Sequence, residues 1–323
     1  MHVNRINARF PKDEKYRLTS QVRIGARRLM SYWIIRIIFQ IMSYIPISVG
    51  RFIGKALGIA ISMMPMSRLR VSLENIQKSL GRSMTDSEAL KLNRRVFKHF
   101  GQTLFELPHI FRIDHKNLDK YVVFEGAENL TQALAKGRGV FLLSAHLGNW
   151  EMITAAVSIR FGRLSAIASP QHSPSIERLI YNIRTRFGME VIPKRNGMKK
   201  MISALKQNRI VGILLDLNAP WYQGVFVDFL GIQSCTNKGL ALMALKMDTP
   251  VIPGFSIRQE DGLYHIMLGE EVKLIRTGNR IVDVEENTAL FTRIIETQIK
   301  KYPDQWLWLH RRWKTLPYCP LPY

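Results

Sequence analysis

A histidine and a carboxylate five residues apart, His146 and Glu151, sit in the string Ser144-Ala145-His146-Leu147-Gly148-Asn149-Trp150-Glu151. An imidazole exchanges a proton near neutral pH, and a carboxylate beside it can fix its tautomer and stabilise the cation it becomes. Five residues of regular helix turn about 500°, which leaves the two side chains about 140° apart, so no helix face carries both. His146 is therefore expected in a turn ahead of a helix and Glu151 in that helix's first turn. Leu147-Gly148-Asn149 would fold back so that the carboxylate meets one imidazole nitrogen. The other nitrogen is then a general base, and the group it activates would be a substrate hydroxyl. A His with a Glu five residues later is also common by chance; packing at a strand end and a carboxylate at a helix N-terminus account for a bare pair equally well.

The surroundings favour the chemical reading. Gly139 to Ser144 is an apolar run ended by small residues, and Trp150 to Ile159 reads as a helix, so a buried strand delivers His146 where ligands meet α/β sheets. Tyr121 to Phe124, Leu164 to Ser169, Glu190 to Ile192 and Ile210 to Leu215 read as further strands. Glu128 to Lys136, Pro174 to Phe187 and Lys238 to Lys246 read as helices between strands, and Pro250 to Ile257 with Tyr264 to Leu268 as a strand pair across Asp261-Gly262. Upstream, Leu73, Ile76 and Leu80 recur at helical spacing, Gly81 fits a stop and Thr85 a start, with Phe97, Phe100, Leu104 and Leu107 repeating the period. Such alternation predicts an α/β fold with a mainly parallel central sheet flanked by helices.

The 323 residues carry 47 Lys and Arg against 25 Asp and Glu, a formal net charge of +22, which calls for a polyanionic partner: nucleic acid, an anionic membrane surface, or phosphorylated and acidic substrates. Two apolar stretches point to the membrane. Leu29 to Val49 is long enough to cross a bilayer but contains Arg36 and Pro46; Phe52 to Met66 is short and contains Lys55. A basic cluster precedes them, Lys12, Lys15, Arg17, Arg23, Arg27 and Arg28, without the pattern of a secretory signal. Either the first stretch spans once or it forms an interfacial or half-inserted helix with the Trp33, Ile34, Ile37 and Phe39 face buried in lipid; the monotopic arrangement is preferred. A buried core helix is the third reading. The division expected is 1–66, a basic N-terminus with membrane-associating helices, and 67–323, an α/β domain. Two cysteines, Cys235 and Cys319, make neither a disulfide framework nor a metal spacing, and a cytoplasmic setting follows.

The string around His146 resembles the H-x4-D/E block of the glycerolipid acyltransferases, and Ala145 to Glu151 resembles the late lipid A acyltransferases, the lauroyl and myristoyl transferases. Four more stretches resemble that family in the same order: Arg184 to Gly188 with Val191 to Lys194, Gly212 to Asp216, Gly224 to Gly231, and Gln305 to Thr315. The resemblance covers roughly 67–315 and implies transfer of an acyl chain from an acyl carrier protein thioester to a hydroxyl of a lipid A precursor. The implied setting is the cytoplasmic face of the inner membrane, with no metal, no cofactor beyond the thioester co-substrate, and no nucleic acid. It implies His146 and Glu151 as the catalytic pair, and Asn149, Arg184, Arg186, Lys194, Asp216, Arg311 and Arg312 as substrate-binding residues. Cys235 is left as a packing residue.

Two departures bear on the acceptor. Ser169 stands where the family has an arginine, so Arg178, Arg184 or Arg186 supplies that charge or the acceptor differs. The family's Asp-Gln pair is here Asp216-Leu217-Asn218; Asp216 either orders the site or a basic neighbour, or forms a turn. Trp306, Trp308 and Trp313 have three readings: acyl-pocket lining, membrane interface or core. Two rival functions stand beside the main one: an acyltransferase of the same fold acting on another glycolipid or phospholipid, and a non-enzymatic basic protein binding membrane or nucleic acid. The second predicts cations on one exposed face and no cavity.

Overall fold

The computed structural model describes residues 30–317 apart from 82, 163, 169–172 and 194–196. Ser169, Lys194, Cys319 and the basic cluster Lys12 to Arg28 lie outside the described residues.

Two apolar helices lead in, α1 (Met30–Met42) and α2 (Ile47–Ser62), meeting at 119° across a break that contains Pro46. Proline lacks the N–H a continuous helix would need and disfavours helix in the residue before it, so the apolar stretch cannot run on. No single helix among the described residues is long and apolar enough to cross a membrane, although the bent pair passes that test together. Next come α3 (Ser67–Leu80) and α4 (Asp86–Ile110). Thr85 starts α4 with a capping box, its hydroxyl accepting from Glu88 N while the Glu88 carboxylate accepts from Thr85 N.

The remainder alternates: β1 (Val122–Glu125), α5 (Ala127–Ala135), β2 (Val140–Ser144), α6 (Trp150–Phe161), β3 (Leu164–Ala168), α7 (Pro174–Thr185), β4 (Glu190–Pro193), α8 (Gly197–Lys206) and β5 (Ile210–Leu214). A hairpin of β6 (Gly224–Phe229) and β7 (Ile232–Asn237) follows, then α9 (Gly239–Met247), β8 (Val251–Arg258), β9 (Tyr264–Leu268) and α10 (Arg280–Lys301). The sheet order is β1-β9-β8-β2-β5-β3-β4. Every adjacent pair in it is parallel except β8 with β9. The expected α/β fold with a mainly parallel sheet is therefore present; the separate β6–β7 hairpin and the long α10 were not anticipated. β2 is buried along its whole length, as a central strand covered by helices on both faces must be. One apolar cluster gathers α3, α4, α9, α10 and the three tryptophans, and a second gathers α5, α6 and α7.

Register places the chemistry. β2 and β5 are parallel neighbours with Ser144 opposite Leu214. His146 and Asp216 each stand two residues past these ends, so the two strands deliver them side by side at the carboxyl edge of the sheet.

Candidate active site

His146 Nδ1 lies 2.9 Å from Asp216 Oδ1, and the His146 backbone N–H donates to Asp216 Oδ2 at 3.0 Å. Trp306 Nε1–H donates to the same Oδ2 at 2.8 Å. Asp216 is almost wholly buried. Burial by itself would raise its pKa, but the attraction of the imidazolium that His146 becomes and the bonds from His146 and Trp306 outweigh that and hold the carboxyl below its usual value. An ionised carboxylate only accepts, so the Nδ1 facing it carries the hydrogen and Nε2 is left as the basic nitrogen. His146 lines a cavity of about 810 Å³, and the edge of the Trp150 ring meets the imidazole at 5.1 Å between centroids.

Glu151 does not hold His146, contrary to the expectation from spacing. Its carboxylate receives Arg184 Nε at 2.9 Å and Arg184 Nη2, a two-pronged pairing of α6 with α7. The reason is geometric. The turn before α6 does not fold back; it is pinned. Gly148 N–H donates to Gln305 O at 2.9 Å, Asn149 N–H to Ser256 O at 3.1 Å, and Leu307 N–H to His146 O at 3.0 Å. Gly148 has φ +64, and a Cβ there would stand 1.7 Å from Ser256 O, so only glycine lets this turn lie against β8. Held in that way, His146 faces the strand ends and Glu151 faces α7.

The other expected binding residues divide. Arg184 lines the cavity with Glu151, and of the cations put forward to replace the family's arginine it alone does so among the described residues; Arg178 and Arg186 are exposed, lying against the rings of Tyr32 and Phe187. Asn149 is on the cavity wall but buried, and its Oδ1 caps α6 by accepting from Met152 N at 3.0 Å. Arg311 is exposed and away from the cavity lining. Arg312 is no surface cation at all. It is fully buried, donates to Leu217 O at 3.3 Å, Cys235 O at 2.8 Å and Thr236 Oγ1, and stacks on Phe229 at 4.6 Å. Burial pushes its pKa down to about 10. Its planar fork ties loose carbonyls beside the hairpin to the C-terminal segment, work for which arginine is suited.

The three tryptophans are core residues, which settles the readings left open for them. Trp306 also holds Asp216, and His310 Nε2 accepts from Asn218 N–H at 3.3 Å, so the stretch Gln305 to Thr315 wraps the dyad. The partnership of His146 with Asp216 did carry a sequence signal. Val140 to His146 and Ile210 to Asp216 are apolar runs of equal length, each ending in the titratable residue.

The cavity is mostly apolar. Phe100, Leu104 and Leu107 of α4 and Ile180 and Ile183 of α7 line it with Met198, Met201 and Met243. The non-enzymatic rival, which required no cavity, is not what the structure shows.

The bacterial lipid A biosynthesis acyltransferase family matches residues 20–315. The chain is similar to a lipid A biosynthesis acyltransferase of Haemophilus influenzae, 24% identical over 307 residues, with 92% of this chain and 94% of the relative covered. It is similar to a lipid A biosynthesis palmitoleoyltransferase of Escherichia coli, 23% identical, with 84% and 87% covered. It is also similar to a phosphatidylinositol mannoside acyltransferase of Mycolicibacterium smegmatis, 23% identical, with 74% and 77% covered.

Proposed function

Because the chain belongs to the bacterial lipid A biosynthesis acyltransferase family and is by that membership an acyltransferase, we propose that it moves a fatty acyl chain from an acyl carrier protein thioester to a hydroxyl of a lipid A precursor, with His146 as general base. The observation that carries this reading is the His146–Asp216 dyad opening on an apolar cavity of about 810 Å³. A volume of that order suits a long acyl chain, and the polar groups on its wall are few.

In the reaction the acceptor hydroxyl oxygen attacks the thioester carbonyl carbon while His146 Nε2 takes its proton. The C–S bond then breaks, and the imidazolium returns the proton to the leaving sulfur. Asp216 stabilises the imidazolium and holds the tautomer, the task first expected of Glu151. Glu151 instead fixes Arg184, a cation on the cavity wall placed to meet negative charge on the acceptor or at the reacting carbonyl. No acyl-enzyme is needed. The exposed apolar faces of α1 and α2 and the net positive charge suit a lipid acceptor and an acidic carrier protein.

Similarity to phosphatidylinositol mannoside acyltransferases supports a second acceptor class, a glycosylated phospholipid. The mass spectrum of lipid A from a deletion strain separates the two. Loss of one secondary acyl chain identifies the acceptor as lipid A, and an unchanged spectrum transfers the reading to the glycophospholipid. In the purified protein, His146→Ala should abolish transfer and Asp216→Asn should lower kcat by about 10⁴-fold, the scale seen when a carboxylate that holds a catalytic tautomer is neutralised. Substantial transfer by folded His146→Ala overturns the mechanism.

A further inference from the structure

Behind the turn that presents His146 lies a second set of polar groups, all buried or nearly so, that the transfer reaction does not use. Glu106 of α4 is completely buried. Its carboxylate accepts from Tyr264 Oη and from Arg51 Nε at 2.5 Å, and Arg258 Nη1 stands 3.8 Å away. From this one carboxylate two arms reach consecutive residues of the turn. In the first, Arg258 Nη2–H donates to His99 Nδ1 at 2.6 Å, and His99 Nε2 lies 3.3 Å from Gly148 O, with Thr103 Oγ1 at 3.2 Å. An arginine never accepts, so His99 Nδ1 must, and the ring's only hydrogen is on Nε2, aimed at the Gly148 carbonyl. Burial, with Arg258's charge second, holds the His99 pKa well below its ordinary value, consistent with that neutral ring. In the second arm, Asn149 Nδ2–H lies 3.4 Å from Tyr264 Oη while Asn149 Oδ1 caps α6.

We propose that His99, Arg258, Glu106 and Tyr264 form a buried positioning unit that grips the Gly148–Asn149 turn and so sets where His146 stands in the transfer. The proposal rests on the acyl-transfer reading above. None of the four is a catalytic residue; they act through the turn. A buried carboxylate between two arginines loses hydration that apolar packing of equal volume would not, so stability is a poor account of the set. Direction is a better one. Gly148 and Asn149 each receive a bond from a rigid donor or acceptor whose orientation is set by the next group behind it, and all of these trace to one carboxylate. Arg51 fastens that carboxylate to α2 and donates to Gly262 O at 2.6 Å, closing the unit on the β8–β9 turn. The base therefore stands on a turn tied to β8, β9, α4 and α2 together.

Tyr264→Phe, His99→Leu and His99→Gln in the full-length detergent-purified protein test this. Glutamine can place an amide N–H near the position of His99 Nε2, so it serves as the conservative rescue. Two readouts are taken: hydrogen–deuterium exchange of the peptide covering 144–152, and kcat and KM with an acyl carrier protein thioester and a lipid A precursor. Expected are faster exchange in that peptide and a kcat lowered by about tenfold in Tyr264→Phe and His99→Leu, approaching the ~10²-fold that a 1 Å misplacement brings. KM for the thioester should be unchanged, and His99→Gln should recover most of both readouts. Unchanged exchange, unchanged kcat, or a His99→Gln no better than His99→Leu overturns the proposal. If the wild-type protein transfers nothing to this acceptor, the functional reading has failed, and the exchange measurement still decides whether the unit holds the turn.

Discussion

Burial lowers the proton affinity of three histidines near the site, and the effect can be tested through stability. His99, His109 and His310 all have pKa values pushed below the ordinary 6.5, in each case first by burial and then by nearby charge, with Glu106 opposing the shift at His109 and Asp216 opposing it at His310. A histidine whose folded-state pKa is depressed binds a proton in the unfolded chain before it does in the native one. Stability is then fully present above pH 6.5 and declines as pH falls from there toward the folded-state pKa. For the wholly buried His99 the slope in that window is about 1.4 kcal/mol per pH unit. Urea unfolding at a series of pH values below 6.5 should show a steep acid loss that His99→Gln makes shallower by about that slope. Parallel wild-type and variant curves would show His99 to be protonated in the native protein.

At the scale of elements, α2 and α4 approach through glycines. Gly50, Gly54 and Gly58 recur every four residues on one face of α2 and are the residues that helix buries. Gly101 answers from α4, and a Cβ built on Gly54 would lie 2.5 Å from Gly101 O, whereas one on Gly50 would meet Phe105 O at an ordinary 3.5 Å. Alanine favours helix over glycine by about 1 kcal/mol, but forcing an atom into filled space costs about 1–3 kcal/mol. Gly50→Ala should therefore be neutral or slightly stabilising in thermal unfolding, and Gly54→Ala destabilising. Equal effects at the two positions would mean that the helices are not in contact as described. The contact matters to the site because α4 lines the cavity with Phe100, Thr103, Leu104 and Leu107 while α2 sends Arg51 to Glu106.

At the scale of the whole molecule, exposed large apolar side chains among the described residues gather on the two lead-in helices. Ile34, Ile37, Ile38 and Ile41 of α1 and Phe52, Ile53 and Leu57 of α2 are all exposed, far beyond the scattered singles that a soluble surface tolerates. With a net charge of +22, the chain is suited to an anionic bilayer surface, apolar side chains entering the interface and cations meeting head groups. Replacing Ile37 and Phe52 together by glutamate should abolish flotation with anionic vesicles, while added salt should only weaken it by screening. Flotation of the double variant equal to wild type would place membrane attachment elsewhere.

Most strands and helices up to β5, the start of α4 at Thr85 and the strand that carries His146 were legible in the sequence, because each depends on local periodicity, capping or an apolar run whose neighbours lie within a few residues; α8, the β6–β7 hairpin and α10 were not. So was the recurrence of one family's blocks from His146 to Thr315. The partners of the charged groups were not. Asp216 is 70 residues from His146 and reaches it because two parallel strands align in register; Arg184 takes Glu151 because α6 and α7 pack side by side; Arg312 is buried because the C-terminal segment folds under the hairpin. Spacing along the chain limits which groups can meet within one turn of backbone. Which carboxylate stands behind the base, and which is given to an arginine instead, is decided by sheet register and helix packing, interactions whose geometry no local stretch contains.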